Sequence, residues 1–264
     1  MTVLAVRSLS KSFGGVHAVN EASFEIGKGE FLAMIGPNGA GKSTCFNMIN
    51  GQLEPDSGEI LLNGEDIAGL TPRAVWRRGV GRTFQVAATF ASMTVAENVQ
   101  MALISHAGET YGVWKPAAAR HRDRALALLA QVGMGEAADR PSRELAYGDI
   151  KRIELAIALA NEPKLLLMDE PTAGMGARER HGLIELVKRL VVERGISVLF
   201  TEHSMDVVFA YADRIVVLAR GRVIADGDAA AIRDDAQVRE VYFGTGKTFE
   251  RKSSAEAGSA GVRG

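Results

Sequence analysis

The run Gly36-Pro37-Asn38-Gly39-Ala40-Gly41-Lys42-Ser43 has the residue types and spacing G-x-x-x-x-G-K-[ST] of a phosphate cradle. Glycine lets the backbone wrap closely enough for several N–H groups to face one anion. Lys42 supplies positive charge for the β and γ phosphates of a nucleotide, and the Ser43 hydroxyl is a hard oxygen donor suited to Mg2+. A continuous apolar run, 31–35, precedes the segment, and a helix-like stretch, 43–49, follows it. The N-terminus of such a helix favours the same anion. A glycine-rich turn with a chance lysine would need neither flank. Gly36, Asn38, Gly39, Ala40, Gly41, Lys42, Ser43 and Thr44 are therefore expected to line the phosphates of a nucleotide.

A second chemical pair, Asp169-Glu170, ends the apolar run Leu165-Leu166-Leu167-Met168. A strand buried on both faces that delivers two carboxylates at its C-terminal end places them at the ligand edge of a parallel sheet. Asp169 is then expected to hold Mg2+, directly or through water. Glu170 is expected to polarise the attacking water as a general base, a role that contributes about 10²–10⁴-fold in rate. In isolation the pair would equally fit a solvated loop. Beside a phosphate cradle it fits hydrolysis.

The elements that must position these groups follow from periodicity. Short strands are expected at 3–6, 22–26, 31–35, 58–62 and 65–67, the last two joined by Asn63-Gly64, a strong hairpin signal. Strand-like runs return at 164–168 and 196–200, separated by a helix over 177–192, and a second hairpin joins 214–218 to 222–225 through Arg220-Gly221. Between them, helical spacing dominates at 95–103, 120–132 and 150–160. The fold class expected is α/β: a P-loop NTPase core with an N-terminal antiparallel β subdomain and an inserted α-helical subdomain at about 91–161. Residues 1–244 read as one domain. Residues 245–264, rich in Ser, Ala, Gly, Lys and Arg, read as a flexible tail.

Bulk composition excludes several classes. The 264 residues are 47% hydrophobic and 24% charged, enough apolar material for a sizeable core. The net charge of -1 offers no global basic field, so no nucleic acid partner is expected, and the basic stretch 120–124 reads as a solvated helix face. With Cys45 alone there is no intrachain disulfide. No signal-peptide pattern opens the sequence, and no apolar run approaches the roughly 20 residues of a membrane-spanning helix. Any membrane association is expected to come through a partner.

Phosphate cradle and acidic strand indicate only a nucleotide hydrolase; the motifs between and around them narrow it. Leu145-Ala146-Tyr147-Gly148-Asp149 stands before the helix at 150–160 and resembles the LSGGQ signature of the ABC ATPase family. Gln85, within Arg82-Thr83-Phe84-Gln85, falls at that family's Q-loop. Pro171-Thr172-Ala173-Gly174-Met175 falls at its D-loop, His203 at its switch histidine, and Phe13 at its aromatic A-loop position. The resemblance spans about residues 4–244. It implies that Gln85 serves the metal and the hinge of the helical subdomain, and that His203 senses the γ-phosphate. It implies that Phe13 stacks on adenine, by analogy with base–aromatic stacking worth about 1–3 kcal/mol. It also implies that Ala146, Tyr147 and Gly148 close over the nucleotide of a facing subunit.

Within the family, the LAYG form of the signature, the run FASMTVAEN at 90–98, Thr201-Glu202-His203 and the closing run 238–244 are most similar to the larger ATPase of branched-chain amino-acid importers. That resemblance implies two membrane-spanning permease subunits, a second ATPase subunit and a periplasmic or extracellular substrate-binding protein. A heterodimer of ATPases is expected, with a homodimer as the alternative. It implies a peripheral location on the cytoplasmic face of the inner or plasma membrane. The alternatives are the ATPase of an exporter, such as lipopolysaccharide export, and a soluble non-transport ABC ATPase. Phe90 and Met93 are expected to form a partner-facing patch. Ala146 stands where the signature has Ser, and Asp149 where it has Gln; Asp149 is expected to cap the helix that follows.

Overall fold

The computed structural model describes residues 1–83, 89–109 and 120–243. The first half of the chain runs β1 (Thr2–Phe13), β2 (Val16–Gly27), β3 (Phe31–Ile35), α1 (Lys42–Ile49), β4 (Ser57–Leu62), β5 (Glu65–Asp66), α2 (Pro72–Arg77) and β6 (Val80–Thr83). Three helices follow, α3 (Val95–Ala107), α4 (Arg122–Gln131) and α5 (Tyr147–Ala158). The chain then runs β7 (Leu165–Asp169), α6 (Ala177–Arg194), β8 (Ser197–Thr201), α7 (Met205–Tyr211), β9 (Arg214–Ala219), β10 (Arg222–Gly227), α8 (Ala229–Asp234) and α9 (Ala236–Phe243).

Two sheets form. One is antiparallel, ordered β2-β1-β4-β5; the other is ordered β10-β9-β3-β8-β7-β6. In the second, β3 pairs parallel with β8 and β9, β7 pairs parallel with β6 and β8, and β10 returns antiparallel on β9. This is the expected α/β class, with the N-terminal antiparallel sheet and the helices α3–α5 inserted between β6 and β7.

Period-2 alternation on the buried strands divides the interior into two cores. On β3, Leu32 and Met34 face a core shared with α1 and the antiparallel sheet; Phe31, Ala33 and Ile35 face the other core, toward α6 and the helical insert. β7 repeats the pattern, with Leu165 and Leu167 on one side and Leu166 and Met168 on the other. A parallel strand covered on both faces must be apolar at every position, which is why both runs read as continuous rather than alternating. Phe31 and Phe200 stack with ring centroids 4.4 Å apart. Both are fully buried. Phe200→Ala should therefore cost about 3–5 kcal/mol of stability, measured as a lowered urea midpoint at unchanged m-value.

Several expectations are extended or revised. β1 and β2 are each 12 residues long, well beyond 3–6 and 22–26. Their pairing contains register shifts, and Ser8 and Glu21 carry positive φ values of 46° and 54°. The strands bulge and continue where the broken alternation read as an end. The hairpin turns form as expected, with Asn63 and Gly64 at φ 50° and 87° and Arg220 and Gly221 at 51° and 78°. The elements α2, β6, α7, α8 and α9 have no counterpart in the sequence reading; each has eight residues or fewer, too short to show a period. Among the described residues, no helix is long and apolar enough to cross a membrane.

Candidate nucleotide site at the strand edge

The parallel strands end on one edge, and there the chemistry collects. β3 runs into the cradle at Gly36. Two of its glycines are fixed by close backbone approach. Gly36 has φ 157°, and a Cβ there would stand 2.2 Å from the Leu218 carbonyl oxygen. Gly41 has φ 105°, and a Cβ would stand 2.3 Å from the Ala18 carbonyl oxygen. Neither backbone atom can yield, so only glycine fits. Gly41 is also the N-cap of α1 and provides no side-chain cap, which leaves the first-turn amides as donors for an anion. Asn38, Gly39 and Ser43 are exposed, Thr44 is half-buried and Ala40 is buried.

Lys42 is buried, and its ammonium donates to the carbonyls of Gly36 at 2.7 Å and Pro37 at 3.2 Å. Burial lowers its pKa below the ordinary lysine value, while the charges of Glu170 and Asp169 oppose the shift. The lysine thus lies between the loop carbonyls and the acidic pair, as a cradle for a phosphate chain requires. Tyr242 of α9 reaches the same loop: its hydroxyl is bonded to the Gly36 backbone, and burial pushes its pKa up against the pull of that bond.

β7 and β8 pair in register, with Asp169 opposite Thr201. The Thr201 hydroxyl donates to Asp169 Oδ1 at 2.8 Å and accepts the Glu170 amide at 3.0 Å. Arg82, from the end of β6, places Nη2 3.6 Å from Asp169 Oδ2 and donates through Nη1 to Asn47 Oδ1 and Gln52 Oε1, both at 2.9 Å. Glu170 sits at φ 49°, a left-handed conformation that costs about 1–3 kcal/mol for a residue with a side chain. Its Oε1 lies 2.8 Å from His203 Nε2, and His203 is half-exposed. Glu202 points the other way. It is buried, and its Oε1 accepts from both the amide and the hydroxyl of Thr172, at 3.0 Å and 2.6 Å.

Phe13 ends β1 with half its surface exposed, and Lys11 Nζ is 5.9 Å from its ring centroid. Tyr147 and Gly148 open α5 and lie against the segment leaving β7: a Cβ on Gly148 would stand 3.6 Å from Met175 Cε and Glu179 Cδ, and one on Gly174 would stand 3.7 Å from Tyr147 Cε1. The expected capping by Asp149 is corrected. Ala146, with φ −65° and ψ 155°, is the N-cap, and no side chain caps the helix. Asp149 is the third helical residue, its amide bonded to the Ala146 carbonyl at 3.1 Å. The helix begins three residues before the expected start because Tyr147 and Gly148 take helical geometry. The Asp149 carboxylate still lies in the first turn, where the dipole favours it. Phe90 is half-exposed and Met93 half-buried, with the Phe90 backbone held by the buried Asn98. Gln85 lies outside the described residues.

Four contributors escaped the sequence reading as individuals: Thr201, Glu202, Arg82 and Tyr242. The sequence signal available was position alone. Thr201 and Glu202 immediately precede His203, and Arg82 precedes Gln85 by three residues.

Comparisons with known proteins place the chain in a family. Residues 19–173 match the family model described as ABC transporter, and residues 222–248 match one described as branched-chain amino acid ATP-binding cassette transporter. A high-affinity branched-chain amino acid transport ATP-binding protein of Pseudomonas aeruginosa is 38% identical over 249 residues, covering 92% of this chain and 98% of the relative. A probable branched-chain amino acid transport ATP-binding protein of Methanocaldococcus jannaschii is 33% identical over 254 residues, with coverage of 92% and 98%. The crystal structure of a nucleotide-free ATP-binding cassette from an ABC transporter superposes with TM-score 0.83 at 31% identity, covering 92% of this chain and 100% of that one. A dimeric ATP-binding cassette bound to ADP and Pi superposes with TM-score 0.73 at 27% identity, covering 86% and 98%. The chain thus belongs to the ABC transporter family, as an ATP-binding and ATP-hydrolysing subunit that resembles the ATPases of branched-chain amino acid importers.

Proposed function

We propose that this chain drives import of branched-chain or related amino acids by hydrolysing ATP beneath a pair of membrane-spanning permease subunits. What carries this reading is the agreement of the C-terminal match at 222–248 with the names of relatives aligned over 92% of the chain. Residues 1–244 act as the ATPase domain, with the helical subdomain at about 91–161 as the part that follows nucleotide state. The expected tail, 245–264, lies outside the described residues apart from its own composition.

In this reading Gly36, Asn38, Gly39, Ala40, Gly41, Lys42, Ser43 and Thr44 hold the triphosphate, and Phe13, half-exposed at the end of β1, stacks on adenine. Among the described residues no cluster of three or more His, Cys, Asp or Glu side chains could hold a metal unaided. The donors present, the exposed Ser43 hydroxyl and the Asp169 carboxylate, are the hard oxygen ligands Mg2+ takes when substrate phosphates supply the rest. Gln85 would join them. Held by these residues, Mg2+ would supply positive charge to offset that of the phosphates. Glu170 accepts a proton as water oxygen attacks the γ-phosphorus and the bond to ADP breaks; His203, bonded to Glu170, orients that base and meets the γ-phosphate.

Ala146, Tyr147 and Gly148 close over the nucleotide of a facing subunit. Ala146 lacks the hydroxyl of the usual signature serine, so a second, non-identical ATPase is the better partner. The complex also includes a periplasmic or extracellular substrate-binding protein and sits on the cytoplasmic face of the membrane. The test is reconstitution in proteoliposomes with the permeases, binding protein and ATPase encoded beside this chain. ATP-dependent uptake of radiolabelled leucine or a related amino acid is expected, with lower turnover when this chain replaces the second ATPase. Failure to move any amino acid would overturn the cargo. Equal turnover with this chain alone would overturn the heterodimer.

A further inference from the structure

Three consecutive residues at the end of β8, Thr201 to His203, hold three positions at the end of β7, Asp169, Glu170 and Thr172. Thr201 takes Asp169 and the Glu170 amide, His203 takes the Glu170 side chain, and Glu202 between them takes Thr172. Glu202 differs from its neighbours in facing inward. It is 5% exposed, and Thr172 is 2% exposed. One carboxyl oxygen accepts both the amide and the hydroxyl of Thr172. The segment it holds begins at Glu170, whose φ of 49° persists only if both sides of the residue are fixed. Upstream, β7 is locked into the sheet. Downstream, the Ala173 amide bonds back to the Glu170 carbonyl at 3.1 Å and the Met175 amide to the Thr172 carbonyl at 3.1 Å. Those turn bonds are local and would move with the segment. The Thr172–Glu202 contact ties it instead to the end of β8.

We propose that Glu202 is a positioning residue for hydrolysis: by clamping Thr172 it holds Glu170 in its left-handed conformation, so that the base and His203 meet in fixed geometry. This rests on the reading of Glu170 as the base. Glu202 itself is buried against Thr172 and acts only through that contact.

The experiment measures ATP turnover and nucleotide affinity for the assembled transporter carrying Glu202→Ala, Glu202→Gln, Thr172→Val or both Glu202→Ala and Thr172→Val. Misplacing the base should lower kcat by about 10²-fold in Glu202→Ala, with KM for ATP and the affinity for a fluorescent ATP analogue unchanged. Glu202→Gln keeps an acceptor oxygen for the same two donors and should recover most of the turnover. The double variant should be no worse than Glu202→Ala, since both remove one contact. If Glu202→Ala fails to assemble, Thr172→Ser against Thr172→Val decides, with turnover retained only where the hydroxyl remains. A normal kcat in Glu202→Ala, a parallel loss of nucleotide affinity, or Glu202→Gln falling as far as Glu202→Ala would overturn the proposal. Full turnover in Glu170→Gln would overturn the base and this inference with it. An inactive Glu170→Gln beside a normal Glu202→Ala would overturn the positioning alone.

Discussion

Glu170→Gln is expected to lower ATP turnover by about 10²–10⁴-fold while ATP binding persists. Gln has nearly the size of Glu and retains a hydrogen-bonding oxygen for His203, which lies 2.8 Å from Oε1. It cannot take a proton from water. The backbone bonds that fix residue 170, from its amide to the Thr201 hydroxyl and carbonyl, do not involve the side chain. The cradle keeps its own hydrogen bonds, from Lys42 to the Gly36 and Pro37 carbonyls, and loses only the nearby Glu170 charge. The expected signature is a collapsed kcat with nucleotide affinity retained, measured by steady-state phosphate release and equilibrium binding of a fluorescent ATP analogue. Wild-type kcat in the assembled transporter would remove Glu170 from the role of base.

Lys42→Ala should act on the other quantity. If Lys42 binds phosphate as proposed, removing its buried ammonium should cost charge-assisted hydrogen bonds worth about 1.5–3 kcal/mol, or roughly 10–150-fold in affinity. It also leaves the Gly36 and Pro37 carbonyls without their present donor and removes one neighbouring cation from Asp169 and Glu170, Arg82 remaining beside Asp169. Affinity of the wild type has a pH signature. Burial sets the Lys42 pKa below that of an ordinary lysine, and a bound anion raises it. Affinity should therefore be full below the free-state pKa and fall as pH rises through it, at a lower pH than an exposed lysine would give. Lys42→Ala should lack that fall. Calorimetric titration across the alkaline range separates the two; unchanged affinity in the variant would overturn the assignment.

How much was legible in the sequence tracks the range of the interactions involved. The cradle, the acidic strand and the central strands are short local patterns, and period and glycine placement were enough to find them. Phe31 to Ile35 and Leu165 to Met168 are buried on both faces, so their run of apolar residues was itself the signal. The long strands β1 and β2 read as shorter in sequence because bulges at Ser8 and Glu21 break the alternation that marks a strand. Thr201, Glu202 and Arg82 were invisible as site residues for another reason. Each acts through a partner about 30 or more residues away, at |i−j| of 32 for Thr201 with Asp169, 30 for Glu202 with Thr172 and 35 for Arg82 with Asn47. A threonine or buried glutamate carries no pattern of its own. Only strand register shows what it faces. Asp149 shows the converse: its residue type is favoured as a cap, while backbone geometry puts Ala146 in that place.

The place of β3 at the centre of its sheet governs when this protein can become itself. β3 lies between β8 and β9, which are made last among the central strands. The bonds that seat its entry reach across nearly the whole chain, from the Gly29 amide to Ser197 at a separation of 168 and from the Phe31 amide to Asp213 at 182. At the usual pace of synthesis, about 5–20 residues per second, that span takes roughly 10–40 s to appear. Through that interval the residues of β3, Phe, Leu, Ala, Met and Ile, lack both of their strand partners. Such an apolar edge is a template for wrong pairing. The strand that bears the nucleotide cradle is among the first made and among the last enclosed. A nascent chain that stalls before β9 carries the cradle's sequence without its walls, and its fate rests on whatever shields β3 until the rest arrives.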